Sequence, residues 1–309
     1  MPAYAAMQSW KGYRRLLEDR FGLRIGAEAS ESMEVIGGHR VHLDTWRPSG
    51  TPRGVAVLVH GGGGNGRILA PLGQMAVDAG WMAIAPDLPG YGLTVPRPGW
   101  DHDYADWPAI VTEIINAQSG PVVVLGLSLG GLTGLYAAQD AVRIDGVIVT
   151  SLLDMSDPDV FAGAARTPGL GRMAMWLIRH APWVLDQVRL PLALAAPMRA
   201  MSSEPGMQRY FSSDPLLGGR WVSMALFRSL HGFRRESLDL PCPLLLVHPG
   251  NDAWTSPELS LRSFARIGSQ KRLIMLPGGS HAPFEPQARE ALRSAILEFL
   301  APLGEAASS

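Results

Sequence analysis

The sequence has 309 residues, of which 47% are hydrophobic and 18% are charged, so it can bury a large core and is too apolar to be disordered. Its 27 basic and 28 acidic residues leave a formal charge of −1, which argues against a nucleic-acid partner. A single cysteine, Cys242, excludes an intramolecular disulfide and a thiolate zinc cluster, and it fits a reducing compartment. No segment has the pattern of a signal peptide or a membrane span, so we expect a soluble, cytoplasmic protein.

The first 29 residues, 1–29, are interpreted as an N-terminal helical extension. Within residues 9–21, apolar residues recur at helical spacing, which predicts an amphipathic helix. This apolar stripe consists of Trp10, Tyr13, Leu17 and Phe21. We expect it to pack on the protein's own body, with a homodimer contact or a membrane-surface contact as alternatives.

Strand signals begin at residues 33–47, where apolar and polar residues alternate around Gly37 and Gly38 and predict a β-hairpin. Short, nearly continuous apolar runs follow at 54–60, 81–87, 122–128, 146–153, 244–250 and 272–278. Helix-length segments lie between most of these runs, at 66–79, 129–141 and 256–267, and another follows at 286–300. The alternation predicts an α/β fold with a mostly parallel sheet flanked by helices.

The alternation of strands and helices is interrupted once, at residues 154–240. This segment lacks a comparable apolar run and instead shows short helical patterns separated by proline and glycine. We interpret it as a helical cap inserted into an α/β core made of residues 30–153 and 241–302. The small, polar residues of 303–309 predict a frayed tail.

The strongest motif is Gly-Leu-Ser-Leu-Gly-Gly at residues 126–131, which follows an apolar run and opens a helix-length segment. This is a G-x-S-x-G pattern at a strand-to-helix turn, where a strained backbone lifts the serine hydroxyl clear of the sheet. Glycines flank the serine because strand and helix approach too closely there for side chains. The motif predicts that Ser128 is a catalytic nucleophile.

A serine hydroxyl is a weak nucleophile at neutral pH, so it needs a base and an acid that orients the base. His281 follows the last apolar run in a loop-like segment and is the candidate base. Asp252 follows the run at 244–250 and is the candidate acid, although this position also suits a turn. Asp154, at the end of an earlier run, is the competing acid.

A glycine-rich segment, residues 61–64, directly follows the apolar run at 54–60. Glycines let the main chain approach a substrate oxygen, so we expect the amide N–H groups of Gly62 and Leu129 to form an oxyanion hole. Such a loop could also cradle a phosphate, but neither G-K-[ST] nor G-x-G-x-x-G with a ribose-binding acid follows. Nucleotide binding is therefore not predicted.

In this order and context, the motifs resemble those of the α/β-hydrolase fold superfamily over approximately residues 30–302, interrupted at the cap. The resemblance is carried by residues 60–65, 87–92 and 126–131, the Asp252 turn and the His281 loop. Serine rather than aspartate at the nucleophile position separates the chain from epoxide hydrolases and haloalkane dehalogenases, and Leu129 in place of tryptophan disfavours a peptidase. The spacing and the mid-chain cap are most similar to the monoacylglycerol lipase and lysophospholipase-like group.

Two further groups of residues invite a functional interpretation. Residues 101–106 combine aspartates with a histidine, but they precede a helical segment where aspartates cap free N–H groups, so no metal site is predicted. The cap is rich in methionine and tryptophan. We expect Met155, Met175 and Trp176 to line a substrate pocket, with ordinary core packing as the alternative.

The predicted function is that of a serine hydrolase that cleaves a small-molecule carboxylic ester with a largely apolar part. The reaction would pass through an acyl-enzyme and use no metal or cofactor. Thioester, amide or C–C bond hydrolysis on the same scaffold is the alternative among enzymes, and a non-catalytic ligand-binding protein is the alternative outside them. No stable membrane span is expected, and a homodimer is left open.

Overall fold

The structure is a computed structural model that describes residues 3–306. In chain order its strands are β1 (Ser30–Ile36), β2 (His39–Trp46), β3 (Val55–Val59), β4 (Met82–Pro86), β5 (Val122–Gly126), β6 (Gly146–Val149), β7 (Arg189–Pro191), β8 (Trp221–Ser223), β9 (Leu244–Pro249) and β10 (Lys271–Leu276). Its helices are α1 (Gln8–Phe21), α2 (Ala70–Asp78), α3 (Asp106–Asn116), α4 (Leu129–Asp140), α5 (Pro158–Ala164), α6 (Pro168–His180), α7 (Pro182–Gln187), α8 (Leu192–Ala195), α9 (Pro205–Ser213), α10 (Met224–Gly232), α11 (Pro257–Ala265) and α12 (Pro286–Ala306). Short 3-10 helices lie at Tyr4–Ala6, Gly66–Leu69 and Met198–Met201.

The main sheet confirms the predicted α/β architecture. Within the described residues it has eight strands in the order β1-β2-β4-β3-β5-β6-β9-β10. The hairpin strand β2 pairs antiparallel with β1 and β4, and every later pair is parallel. Strands β3, β5, β6 and β9 are buried along their whole length, because helices cover both faces of the sheet.

The hairpin turn occupies the two positions that the sequence predicts. Gly37 and Gly38 have φ angles of 55° and 79°, in the left-handed region that a tight two-residue hairpin turn requires. Ile36 is then paired with His39 across the turn. The two glycines thereby set the register of the sheet's antiparallel edge.

The N-terminal helix α1 packs on the body of the protein, the first of the three arrangements that the sequence suggests. All members of its apolar stripe are buried. The Tyr13 hydroxyl donates to the Ile68 carbonyl at 3.0 Å. The Tyr13 ring stacks on Tyr210 of α9, with the ring centroids 5.3 Å apart. Helix α1 therefore contacts both the α/β core and the 154–240 segment.

A buried ionic cluster lies next to the start of the chain. The Arg67 guanidinium donates to Asp44 at 2.9 Å and lies 3.0 Å from the Glu31 carboxylate. Burial raises the pKa of Asp44 to about 6, although Arg67 opposes this effect. Glu31, His42 and Asp44 bring potential metal-ligand atoms within 4.8 Å of one another, but both carboxylates already pair with Arg67.

Asp87 links this cluster to the segments beside the glycine-rich loop. One carboxylate oxygen accepts from the Gly66 amide at 2.6 Å. The other accepts from the Tyr4 hydroxyl at 2.8 Å and the Leu93 amide at 2.7 Å. A single buried carboxylate thus joins the N-terminal segment, the end of the glycine-rich loop and the loop that follows β4.

The 154–240 segment lies between the adjacent parallel strands β6 and β9 and contains helices α5 to α10. Strands β7 and β8 also belong to this segment and pair antiparallel, with Leu190 opposite Val222. These two strands were not predicted from the sequence. At three residues each they are too short to show an alternating pattern. None of the helices among residues 3–306 combines the length and apolarity needed to cross a bilayer.

The C-terminal end departs from the predicted frayed tail. Helix α12 extends to Ala306, beyond the predicted helical segment 286–300, so residues 303–306 of the predicted tail are helical. The Leu303 side chain packs against the hydrophobic core, and this burial holds the last helical turn in place. Residues 307–309 of the predicted tail lie outside the described residues.

Candidate active site

Ser128 lies at the sharp turn between β5 and α4, as the G-x-S-x-G motif predicts. Its φ of 57° and ψ of −126° are unusual for a residue with a side chain. Such strain persists only where the surrounding structure enforces it, and it is concentrated at functional sites. The side chain is largely buried and contributes to the wall of a cavity.

Two glycines enforce this turn. A Cβ atom at Gly126 would collide with the Gly130 carbonyl oxygen, and a Cβ at Gly130 would collide with the carbonyl oxygens of Val59 and His60. The main chains of β3, β5 and α4 are therefore as close as glycine allows. The close approach of strand and helix thus explains why glycines lie on both sides of Ser128, as the motif predicts.

His281 and Asp252 form a buried pair in the loops after β10 and β9. The Nδ1 atom of His281 lies 2.7 Å from Oδ2 of Asp252. The Asp252 Oδ1 atom accepts from the amides of Trp254 and Thr255, each at 2.8 Å. Burial by itself raises the pKa of Asp252, but His281 and these two amides outweigh burial and lower the pKa below its ordinary value. The carboxylate is therefore ionised at neutral pH.

The second ring nitrogen of His281 remains available for chemistry. The ionised Asp252 carboxylate can only accept a hydrogen bond, so the Nδ1 atom of His281 carries a proton and donates it. In the neutral ring, Nε2 then presents a lone pair. Nε2 is buried and has no hydrogen-bond partner within residues 3–306. An unpaired acceptor of this kind is costly in a buried setting, and a general base requires such a nitrogen.

The competing acid, Asp154, has other partners. Its carboxylate pairs with the Arg266 guanidinium, and it accepts from the Ser156 hydroxyl at 2.6 Å and the Ser156 amide at 3.0 Å. Asp154 is thus held within a separate set of contacts at the start of the 154–240 segment. The structure pairs His281 with Asp252 instead.

The two predicted oxyanion donors lie beside Ser128 in the cavity wall. Leu129 is the first residue of α4, so its amide has no carbonyl partner within the helix. Gly62 belongs to the glycine-rich loop. The residue before it, Gly61, lies close to Ser128: a Cβ atom at Gly61 would be 3.0 Å from the Ser128 Cβ. The next residue along the loop, Gly63, is not part of the cavity wall.

His60 holds the start of this glycine-rich loop. Burial lowers the pKa of its ring, which keeps the ring neutral. The Nδ1 atom donates to the Gly61 carbonyl at 2.9 Å, and Nε2 accepts from the Leu88 amide at 3.0 Å. With both nitrogens engaged, His60 has a structural role.

The cavity that includes Ser128 has a volume of about 290 Å³ and is lined almost entirely by apolar side chains. Most of the lining comes from the 154–240 segment, and Met155 is among these residues. Helix α6 contributes one face, formed by Leu170, Gly171, Met173, Ala174 and Leu177. A site of this size and composition suits an apolar small molecule.

The expectation that Met175 and Trp176 line the pocket is wrong. Neither residue belongs to the cavity wall. Both residues lie on α6. The residues of α6 that line the cavity recur at helical spacing along one face of the helix, and Met175 and Trp176 lie on its other faces. The Met175 side chain is partly buried and packs against the core, and the Trp176 side chain is 59% exposed.

Trp254 is a site residue that the sequence analysis missed. It lies two residues after Asp252, contributes to the cavity wall, and has its ring centroid 4.8 Å from that of His281. The only sequence signal was an aromatic residue close to the candidate acid. Its proximity to His281 arises because the β9 and β10 loops meet at the same edge of the sheet.

The aspartates of 101–106 bind groups around the start of α3, but the predicted capping is not observed, since the N-cap of α3 is Ala105 and has no side-chain hydrogen bond. The Asp103 carboxylate accepts from the Ala105 amide at 3.0 Å and from the Ser229 hydroxyl at 2.7 Å. Asp106 pairs with Arg97 at 2.7 Å. These contacts tie the loop before α3 to its surroundings, including helix α10.

Comparisons with known proteins agree with this geometry. The model of the alpha/beta hydrolase family matches residues 56–295. The chain is 26% identical to a monoacylglycerol lipase of Mycolicibacterium smegmatis, over 84% of this chain and 93% of that protein. It is 28% identical to a pimeloyl-[acyl-carrier protein] methyl ester esterase of Neisseria meningitidis, over 79% of this chain and 75% of that protein. The crystal structure of a Paleococcus ferrophilus monoacylglycerol lipase matches with a TM-score of 0.63 and 26% identity, covering 85% of this chain and 98% of that one.

The contacts around the Ser128 turn lead to a prediction for stability. Replacing Gly130 with alanine places a Cβ against two backbone carbonyls, so we expect the free energy of unfolding to fall by about 1–3 kcal/mol. Gly12 in α1 is the matched control, because a Cβ atom there would have no neighbour within 4 Å apart from the backbone of its own helix. Gly12→Ala should raise stability by up to about 1 kcal/mol through helix propensity. Urea denaturation measures both changes, and equal effects would contradict the close approach.

Proposed function

The chain belongs to the alpha/beta hydrolase family, and we propose that it hydrolyses carboxylic esters with a largely apolar part through an acyl-enzyme. Ser128 is the proposed nucleophile, His281 the proposed base, and Asp252 the residue that orients His281. The observation that carries this proposal is the buried pair of Asp252 with His281, 2.7 Å apart, whose Nε2 is left unpaired among the described residues. The strained Ser128 at the wall of an apolar cavity supports it further.

In the first step, the Ser128 Oγ atom attacks the ester carbonyl carbon, and its proton passes to Nε2 of His281. The Asp252 carboxylate stabilises the imidazolium that forms and keeps the ring in the tautomer that can accept this proton. The tetrahedral intermediate then collapses, and His281 returns the proton to the departing alcohol. Water, activated in the same way, hydrolyses the acyl-enzyme and restores Ser128.

The negative charge of each tetrahedral intermediate needs donors that are already in place. The amides of Gly62 and Leu129 are the proposed pair, because both residues line the cavity beside Ser128. Gly62 is assigned rather than Gly63 because Gly62 lines the cavity with Ser128 and Gly63 does not. No metal or cofactor takes part in the proposed reaction.

The cavity supports an apolar substrate group. We propose that the 154–240 segment is a cap that covers Ser128 and binds an acyl chain or an apolar alcohol with the side chains that line the cavity. Two of the relatives are named for hydrolysis of carboxylic esters, a monoacylglycerol lipase and a methyl ester esterase. Both names are consistent with an ester as the substrate of this chain.

The nucleophile is tested by Ser128→Ala. We expect kcat on a p-nitrophenyl ester to fall by about three orders of magnitude or more, because the covalent route is lost while the oxyanion donors remain. The melting temperature should change little, and a fluorophosphonate should label the wild type at Ser128. A variant that keeps more than about a tenth of kcat would refute the assignment. A wild type that binds esters but neither labels nor hydrolyses them would be a ligand-binding protein.

The acid is tested by comparing Asp252→Asn with Asp154→Asn. Only the residue bonded to His281 controls its tautomer, so Asp252→Asn should lower kcat by about three orders of magnitude and Asp154→Asn by far less. Both variants remove one buried carboxylate, which makes them a matched pair. Circular dichroism would establish that both are folded. Equal or reversed losses of kcat would assign the acid to Asp154.

The apolar cavity predicts a dependence on acyl-chain length. Each methylene that enters the cavity contributes about 0.8 kcal/mol, or about fourfold in kcat/KM, so medium-chain esters should be favoured over acetate. Leu177→Trp narrows the cavity and should shorten the preferred chain. Arg172→Trp adds the same side chain at an exposed position of α6 outside the cavity wall, and it should leave the profile unchanged. A flat profile in the wild type would contradict the cavity assignment.

A further inference from the structure

Trp254 occupies the point where three parts of the candidate site meet. It follows β9 in the loop that carries Asp252, its ring lies against His281, and its side chain contributes to the cavity wall. The sequence motifs assign it no role. Its contacts nevertheless connect the acid, the base and the 154–240 segment.

The first set of contacts concerns the acid and the base. The Trp254 amide donates to Oδ1 of Asp252 at 2.8 Å, while Oδ2 of the same carboxylate binds His281. The indole ring is tilted by 34° from the plane of the imidazole. The covalent link through Cβ and the bond to Asp252 hold the imidazole at two points but still allow small tilts of the ring through χ1 and χ2, so a further contact on the ring face is needed to limit that tilt. The indole supplies this contact.

The second contact joins the 154–240 segment. The indole Nε1 atom donates to the carbonyl of Ala164 at 2.8 Å. Ala164 is the last residue of α5 and, with Phe161 of the same helix, lines the cavity. A group bound in the cavity therefore touches the helix that holds the indole in place.

We propose that Trp254 is a positioning residue through which helix α5 sets the orientation of the His281 ring. This inference rests on the proposed function, in which His281 takes the proton of Ser128. The indole is anchored at one end by α5, and its face holds the imidazole so that Nε2 keeps a constant direction. Loss of the anchor or of the face lets the ring tilt away from this orientation, which lowers kcat without removing any reacting group.

Two substitutions separate the anchor from the face. Trp254→Phe keeps an aromatic ring beside His281 but removes the donor to Ala164, and Trp254→Leu removes both. On p-nitrophenyl acetate, we expect kcat to fall about threefold for Trp254→Phe and about tenfold for Trp254→Leu. The acetyl group is too short to fill the cavity, so KM should stay within about twofold of the wild type.

Trp183 provides the matched control, since it lies on α7 in the same segment, is mostly exposed and is not part of the cavity wall. Trp183→Phe and Trp183→Leu should leave kcat and KM unchanged. The melting temperature of each variant reports on folding. Trp254→Phe preserves most of the ring volume, so it tests the proposal even if Trp254→Leu does not fold.

Proton NMR gives a second readout that lost packing alone would not change. The downfield resonance of the His281 Nδ1 proton, identified by its absence in His281→Ala, should broaden in Trp254→Leu because the ring is less constrained. Wild-type kcat in both folded Trp254 variants, or a loss confined to KM, would show that Trp254 only forms cavity wall and would overturn the proposal.

The two proposals fail in different ways. If the wild type is labelled at Ser128 and turns over acetate, while the Trp254 variants behave like it, only the positioning role is overturned. If the wild type is neither labelled by a fluorophosphonate nor active on esters, the proposed function and the role of Trp254 are overturned together.

Discussion

The close approach of helix α4 to strands β3 and β5 is the constraint on which the site geometry depends. Glycine at 126 and 130 lets three main chains pack where any Cβ atom would collide with a carbonyl group. This packing holds Ser128 in a strained conformation and places it in the wall of the cavity. It also leaves the Leu129 amide at the open end of a helix, where it has no intrahelical partner. One packing constraint thus sets the positions of the proposed nucleophile and of one proposed oxyanion donor.

The glycine-rich loop that carries the other proposed donor is held by buried polar groups. His60 fixes the start of the loop by donating to the Gly61 carbonyl and accepting from the Leu88 amide, and Asp87 accepts from the Gly66 amide just after the loop. Asp87 also accepts from Tyr4, so the N-terminal segment takes part in the same network. Buried polar groups specify a conformation strongly when their partners are complete. A loop with four consecutive glycines gains its order from these anchors rather than from its own residues.

The 154–240 segment does more than enclose an apolar cavity, because it is bonded to both loops that carry the candidate acid and base. The Trp254 indole reaches Ala164 from the acid loop, and the Ala282 amide donates to the Met201 carbonyl at 2.9 Å from the base loop. The segment and the pair of Asp252 with His281 are therefore mechanically connected. If His281 is the base, as we propose, the segment that encloses the cavity also contacts the loops that hold the base and the acid.

The features that depend on local backbone chemistry could be predicted from the amino-acid sequence. The turn at Ser128, the hairpin glycines and the alternation of strands with helices follow from short-range sterics and hydrophobic periodicity, and their positions after apolar runs made Asp252 and Asp154 the candidate acids. Which of these two carboxylates pairs with His281 follows from the tertiary structure, because their partners come from distant segments. The tertiary structure also decided that Met175 and Trp176 lie outside the cavity wall and that Trp254 contacts His281. Those outcomes depend on how helices are rotated and how loops meet across the sheet, and neither is encoded in the local pattern.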